Sequence, residues 1–199
     1  MFQYEVMARN AGYCRIAGID EAGRGPLAGP VVASAVILDT MRPIAGLDDS
    51  KKLSERKREE LFIQIQENAI CVAVGISPPE LIDSINILQA TRRAMLEAVQ
   101  KLPLEPDCLL IDGITPIDTR IHQQTIKKGD SQSASIAAAS ISAKVTRDRL
   151  MLEYDSIYPQ YGFASHKGYG SQSHLSALYS CGPCPIHRMT FGGVKELLK

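Results

Sequence analysis

The sequence predicts an α/β protein, a mixed sheet with helices on its faces and a helical region at its carboxyl end. Three observations carry this expectation. Apolar, β-branched runs at residues 15–19, 31–38 and 70–76 follow one another early in the chain, the pattern of a meander. Shorter strand-like runs then alternate with helical patterns, so a purely parallel, doubly wound sheet is not expected. From about residue 155 onward Gly and Pro are frequent and three of the four histidines gather, as in a helical extension of a single domain spanning 1–199.

The elements follow in order. A Gly/Pro-rich connection separates the first two strands. Residues 53–68 open with Ser54 as a helix cap and Glu55 in the first turn, then set Leu61, Phe62 and Ile65 on one side, which reads as an amphipathic helix. Residues 86–102 read the same way. Residues 108–111 form a short apolar strand stopped by Asp112-Gly113, and 120–125 make a fifth strand candidate. The stretch 131–154 is rich in Ala and Ser, with Ile136, Ser140, Lys144 and Asp148 four residues apart, a face small enough to lie close on a sheet. Short helices are expected near 173–179 and 194–199.

Composition narrows the function classes. With 199 residues, 45% hydrophobic and 22% charged, the chain sits near the globular average, which excludes collagen-like, coiled-coil and disordered classes. The longest charge-free stretches, 25–38 and 131–143, are too short and too broken to cross a bilayer, which takes about 20 apolar residues. The first ten residues lack the pattern of a secretory signal, so a cytoplasmic location without a membrane partner is expected. Net charge is zero, yet residues 1–119 carry 12 basic and 17 acidic side chains while 120–199 carry 10 and 5. That asymmetry points to a polyanion-facing surface built from the later part. The five cysteines are odd in number, and Cys71 and Cys108 sit in strand-like runs, which fits reduced, buried thiols.

The chemistry concentrates in acidic residues at strand ends. Asp20 and Glu21 close the first strand and run into Gly23-Arg24-Gly25. The glycine spacing imitates a dinucleotide fingerprint, but a strand pattern follows where a helix is needed and the third glycine falls one residue late. Asp112 ends the fourth strand candidate, and Asp130 stands beside Lys127, Lys128 and Gly129 before the Ala/Ser-rich helix. Strand ends, turns and caps account for each carboxylate alone. Taken as a set, four oxygen donors without interleaved His or Cys are the ligands that Mg²⁺ or Mn²⁺ prefers. Two such ions about 4 Å apart can activate water and stabilise a leaving oxygen in phosphodiester displacement. A zinc half-site of Cys181, Cys184 and His187 lacks a nearby fourth ligand except the distant His174.

Several ordered motifs carry a resemblance. Asp20-Glu21-Ala22-Gly23-Arg24-Gly25-Pro26-Leu27-Ala28-Gly29-Pro30-Val31 comes first, then Leu47-Asp48-Asp49-Ser50-Lys51-Lys52-Leu53 and Ile111-Asp112-Gly113. Lys128-Gly129-Asp130-Ser131 leads into Ser140-Ile141-Ser142-Ala143-Lys144-Val145-Thr146-Arg147-Asp148-Arg149, and His166-Lys167-Gly168-Tyr169-Gly170 closes the series. Together, across residues 15–192, they resemble the ribonuclease HII family. The resemblance implies a ribonuclease H-like fold, a five-stranded mixed sheet flanked by helices with a helical carboxyl-terminal region. It implies a metal-dependent endonuclease that cuts the RNA of RNA/DNA hybrids and nicks beside single ribonucleotides in duplex DNA; no sequence feature points to an oligomer, so a monomer is expected.

The same resemblance makes Asp20, Glu21, Asp112 and Asp130 the catalytic, metal-binding carboxylates for two Mg²⁺ or Mn²⁺ ions. Gly23, Arg24 and Gly25 would lie against the nucleic acid, and Tyr169 would pack on the sugar and help sense its 2′-OH. That hydroxyl alone distinguishes RNA from DNA at one position. Lys51, Lys52, Lys144 and Arg147 become phosphate or structural contacts, with an Asp148 pairing as the plainer role for Lys144. Met189 departs from the family, which often has arginine there. A non-catalytic hybrid-binding module and a DNA-cutting nuclease of the same superfamily are the competing readings.

Overall fold

The computed structural model describes residues 1–198, and its centre is a five-stranded sheet ordered β3-β2-β1-β4-β5. The strands are β1 (Ile16–Ala22), β2 (Val31–Leu38), β3 (Ala69–Ser77), β4 (Cys108–Asp112) and β5 (His122–Ile126). The first three form the expected meander: β1 pairs antiparallel with β2, and β2 with β3. The sheet is mixed because β4 joins β1 in parallel and β5 joins β4 in parallel.

Helices cover both faces. On one lies α3 (Pro79–Gln100), whose Ile82, Ala90, Ala94, Met95 and Ala98 pack against Ala17, Ile19, Ala33, Ala35, Leu109 and Ile111. On the other lie α4 (Ala134–Ile157), α2 (Glu55–Asn68) and the amino-terminal α1 (Gln3–Asn10). The alternation of β1 divides its residues between these faces, odd positions toward α3 and even ones toward α4. Close approach needs glycine. A Cβ on Gly18 would lie 2.0 Å from the backbone carbon of Ser135 in α4, and one on Gly75 would lie 2.0 Å from the Ala94 carbonyl oxygen in α3.

Sequence signals set most boundaries. Ser54 caps α2 by accepting from the Lys57 amide at 3.3 Å, and Ser133 caps α4 by accepting from the Ile136 amide at 3.2 Å. The helix expected from residue 86 begins earlier, at Pro79, and breaks at Asn86 (φ 70°), whose side chain then accepts from the Leu88 and Gln89 amides and restarts it. The strand expected over 15–19 extends to Ala22, so Asp20 and Glu21 belong to β1 itself. The short helix α1 has no counterpart in the sequence reading. Its buried residues are only Glu5 and Ala8, too few for an apolar stripe.

After α4 come α5 (Phe163–His166) and α6 (Gln172–Cys181), then a 3₁₀ turn at Lys195–Leu198; Lys199, in the helix expected over 194–199, lies outside the described residues. This region returns to the β1–β2 connection. Ala28 bridges His187, and Tyr161, Phe163, Cys184 and Ile186 gather around Ala28 and Met151. A cavity of about 680 Å³ lies under α1 at the opposite end of β1, and its lining includes none of Asp20, Glu21, Asp112 or Asp130.

Candidate active site

Parallel pairing of β1 with β4 brings two carboxylates together. The register sets Ile19 opposite Ile111, so the next residues, Asp20 and Asp112, stand side by side at the carboxyl end of the sheet. The third comes from the 3₁₀ turn Gly129–Ser131 that leads into α4. A carboxylate oxygen from each of Asp20, Asp112 and Asp130 lies within 4.8 Å of the others. Backbone amides fix two of them: Glu21 donates to Asp20 Oδ1 and Gly129 to Asp112 Oδ1, both at 2.7 Å. The Ser140 hydroxyl of α4 lies beside Asp20, opposing the rise of its carboxyl, and 2.7 Å from the Ser50 hydroxyl.

Glu21 is not in this triad. Adjacent residues of a strand face opposite ways, so Glu21 points toward α3, into a recess shared with Arg24, Thr91, Met95, Asp112 and Gly113. Its carboxylate pairs with Arg24 at 3.4 Å. Of the four carboxylates singled out in the sequence, three converge on one point and the fourth flanks them.

Electrostatically the triad is short of buried positive charge. Asp20 is 4% exposed; its burial, then the charges of Glu21 and Asp112, push its carboxyl well above the usual range. Burial likewise raises Glu21, against the opposing pull of Arg24. Asp130 is raised by burial and by Asp112 and Asp49, with Lys51 pulling the other way. Lys51 is the cation beside the triad, its Nζ 3.9 Å from Asp130 Oδ2, but its side chain is 78% exposed and screened by water. Carboxylates crowded and buried in this way fit a hard divalent cation, whose charge and all-oxygen preference answer both features.

A second surface adjoins the carboxylates. Gly23, Arg24 and Gly25 form the start of the β1–β2 connection, and a Cβ on Gly25 would sit 3.6 Å from the Tyr169 ring. Tyr169 is 48% exposed and accessible beside the loop. Gly23 has φ +95°, and a Cβ there would lie 2.0 Å from Arg147 Nε, so only glycine fits.

The basic residues divide. Lys51 and Lys52 rim the triad, Lys52 Nζ lying 3.0 Å from Asp48 and 3.2 Å from the Ser131 hydroxyl. Lys144 pairs with Asp148 at 2.8 Å within α4. Arg147 corrects the expectation of a phosphate contact and takes the structural role instead: it is 1% exposed and donates to the carbonyls of Pro30, Ala28 and Lys167. The sequence reading missed Arg188, fully buried beneath the loop and donating to the carbonyls of Gly23, Arg24 and Gly29. Its only signal was a charge inside the His187-Arg188-Met189 segment, with nothing to indicate burial.

The histidines and cysteines do not form a metal site with these groups. His174 Nδ1 donates to the Tyr169 carbonyl at 2.9 Å, so its Nε2 accepts from His187 Nε2 at 3.0 Å, and His187 Nδ1 in turn accepts from the Cys184 amide at 3.0 Å. Both rings are neutral in this chain of bonds. Cys181 is exposed and makes no bond to either ring.

Known proteins agree with this arrangement. A family model described as Ribonuclease HII matches residues 17–194. A ribonuclease HII from Geobacter sulfurreducens is 61% identical over 198 residues, covering 100% of this chain and 91% of the relative. Among solved structures, the ribonuclease H2 of Pyrococcus horikoshii OT3 superposes with TM-score 0.77 at 27% identity, covering 92% of this chain and 97% of that one. The ribonuclease HII of Archaeoglobus fulgidus, solved as a complex with PCNA, gives 0.75 at 28% identity over 89% and 95%. With the mixed sheet, the aspartate triad at its carboxyl end and a family match across nearly all its length, the chain belongs to the ribonuclease HII family.

Proposed function

We propose that this ribonuclease cuts the RNA strand of RNA/DNA hybrids and nicks on the 5′ side of a single ribonucleotide in duplex DNA. The observation that carries the reading is the convergence of Asp20, Asp112 and Asp130 within 4.8 Å, next to the exposed Arg24, Gly25 and Tyr169. Asp20, Asp112 and Asp130, with Glu21 flanking them, would hold two Mg²⁺ or Mn²⁺ ions. When bound, the metal supplies the Lewis acidity for attack by water on phosphorus and for departure of the 3′-oxygen.

The chain's own residues supply position and selectivity. The fixed bonds from the Glu21 and Gly129 amides aim Asp20 and Asp112 before substrate arrives. The Gly23-Arg24-Gly25 loop presents backbone to the ribose, and the exposed Gly25, lacking a Cβ, allows close approach there. Tyr169 packs on the neighbouring sugar. Lys51 and Lys52 meet phosphates at the rim of the site, and Lys144 lends a third charge despite its pairing with Asp148. The enzyme acts as a monomer of one domain, residues 155–199 being its helical extension, in a reducing cytoplasm that suits the buried Cys71 and Cys108 thiols. No helix among the described residues is long and apolar enough to cross a membrane.

Water forms the new P–O bond in line as the P–O3′ bond breaks, leaving a 5′-phosphate and a 3′-OH. The 2′-OH is recognised and does not attack. Analysis of the product ends tests this: 5′-phosphate and 3′-OH termini are expected, and a 2′,3′-cyclic phosphate would refute it.

A further inference from the structure

Arg147 and Arg188 are buried without an ion-pair partner among the described residues. The nearby carboxylate of Asp83 is spent on the amides of Met189 and Thr190 and on the Thr190 hydroxyl. Burial, and then the charge of Arg147, push the Arg188 guanidinium down from its ordinary value. A buried cation without a counter-charge is a poor source of stability, and an apolar side chain of similar volume often serves a core better. The partners of these two side chains indicate their use.

Together they bond six backbone carbonyls, those of Gly23, Arg24, Ala28, Gly29 and Pro30 in the β1–β2 connection and that of Lys167 two residues before Tyr169. A trans peptide plane fixes the next amide antiparallel to its carbonyl. With the Gly23 and Arg24 carbonyls turned inward to Arg188, the amides of Arg24 and Gly25 turn outward. Neither finds an acceptor among the described residues. The segments are also tied directly, the Leu27 amide donating to the Gly168 carbonyl at 2.8 Å and His174 to the Tyr169 carbonyl.

We infer that Arg188, with Arg147 behind it, is a specificity-positioning residue: it turns the Arg24 and Gly25 amides toward the substrate ribose and locks them in register with Tyr169. This rests on the ribose-reading role given above to the loop. Arg188 touches no substrate atom and acts through the peptide planes.

The test compares, in Mg²⁺, the KM for a DNA duplex containing one ribonucleotide with the Ki of the same duplex in all-DNA form as a competitor. Wild type should show a KM well below that Ki. Arg188→Met should raise KM about tenfold or more and leave Ki within about twofold, while Arg188→Lys, which keeps the charge and some donors, should fall between. KM and Ki moving in parallel, or a lower melting temperature with KM unchanged, would make Arg188 merely structural and overturn the inference. If Arg188→Met does not fold, Arg188→Lys decides by the same ratio, an increase of about threefold supporting and none refuting. A wild-type KM equal to Ki would remove the ribose-reading role itself and this inference with it; a preserved wild-type difference that also survives in the variants removes the inference alone.

Discussion

Replacing Asp20 with Asn should stabilise the metal-free protein while abolishing cleavage. Oxygens of Asp20, Asp112 and Asp130 lie within 4.8 Å, and the cations beside them, Lys51 and Lys52, are exposed to water. At that separation each pair of unit charges repels by about 1 kcal/mol at the dielectric of water and about 3.5 kcal/mol at an effective value of about 20. Asparagine keeps the acceptor for the Glu21 amide and removes the charge. Asp20 takes part in two such pairs, about 2 kcal/mol at the dielectric of water. For a protein of this size about 1 kcal/mol moves Tm by roughly 2–4 °C, so a gain of about 4–8 °C or more is expected in chelator at neutral pH. The sign with pH follows from the raised Asp20 and Asp130 carboxyls. The folded state holds protons that the unfolded chain releases, so wild-type stability rises as pH falls through the folded values, and Asp20→Asn should flatten that rise. Calorimetric melts in chelator and in Mg²⁺ provide the assay: Mg²⁺ should raise Tm of the wild type and much less that of the variant. A variant that melts below the wild type in chelator would refute the picture of an electrostatically strained cluster.

Other expectations follow from the surrounding residues. His187 is buried neutral, its pKa pushed by burial and by His174 down to about 4 from an ordinary 6.5; between those values the unfolded chain binds a proton that the folded one does not, so stability falls with pH. From pH 7 to 4.5 the wild type should lose about 2.5 kcal/mol relative to His187→Gln in urea unfolding, and parallel curves would contradict this. Gly18→Ala forces a methyl onto the Ser135 backbone and should destabilise by about 1–3 kcal/mol or more; an unchanged denaturation midpoint would mean that α4 shifts freely. Lys52→Ala should weaken binding of hybrid and ribonucleotide-containing duplex alike and lower the salt slope by about 1, whereas an unchanged slope would remove Lys52 from the phosphate path.

The fold was legible where pattern and burial coincide. Apolar strands and capped helices such as 55–68 announce themselves by periodicity and Ser54. The amino-terminal helix could not be read, since Glu5 and Ala8 are its buried residues and an acid at a core position contradicts the pattern on which helix recognition depends. The break at Asn86 depends on one side chain capping its own helix, a local event without apolar periodicity. Within the site, the oxygen-donor set was readable, but the strand alternation that sends Asp20 toward α4 and Glu21 toward α3 became useful only once β1 was known to extend through both. Arg147 and Arg188 were least legible. A sequence shows their charge, and only packing shows that backbone carbonyls, with no carboxylate, receive it.

Cleavage at a ribonucleotide should depend on both the aspartate triad and a divalent metal. The most direct test is an end-labelled DNA duplex containing one ribonucleotide, incubated with wild type and Asp20→Asn in Mg²⁺, in Mn²⁺ and in chelator. A nick on the 5′ side of the ribonucleotide that requires metal and disappears in Asp20→Asn is the predicted result. Binding without cleavage under every metal condition, or equal cleavage of the all-DNA duplex, would contradict the account.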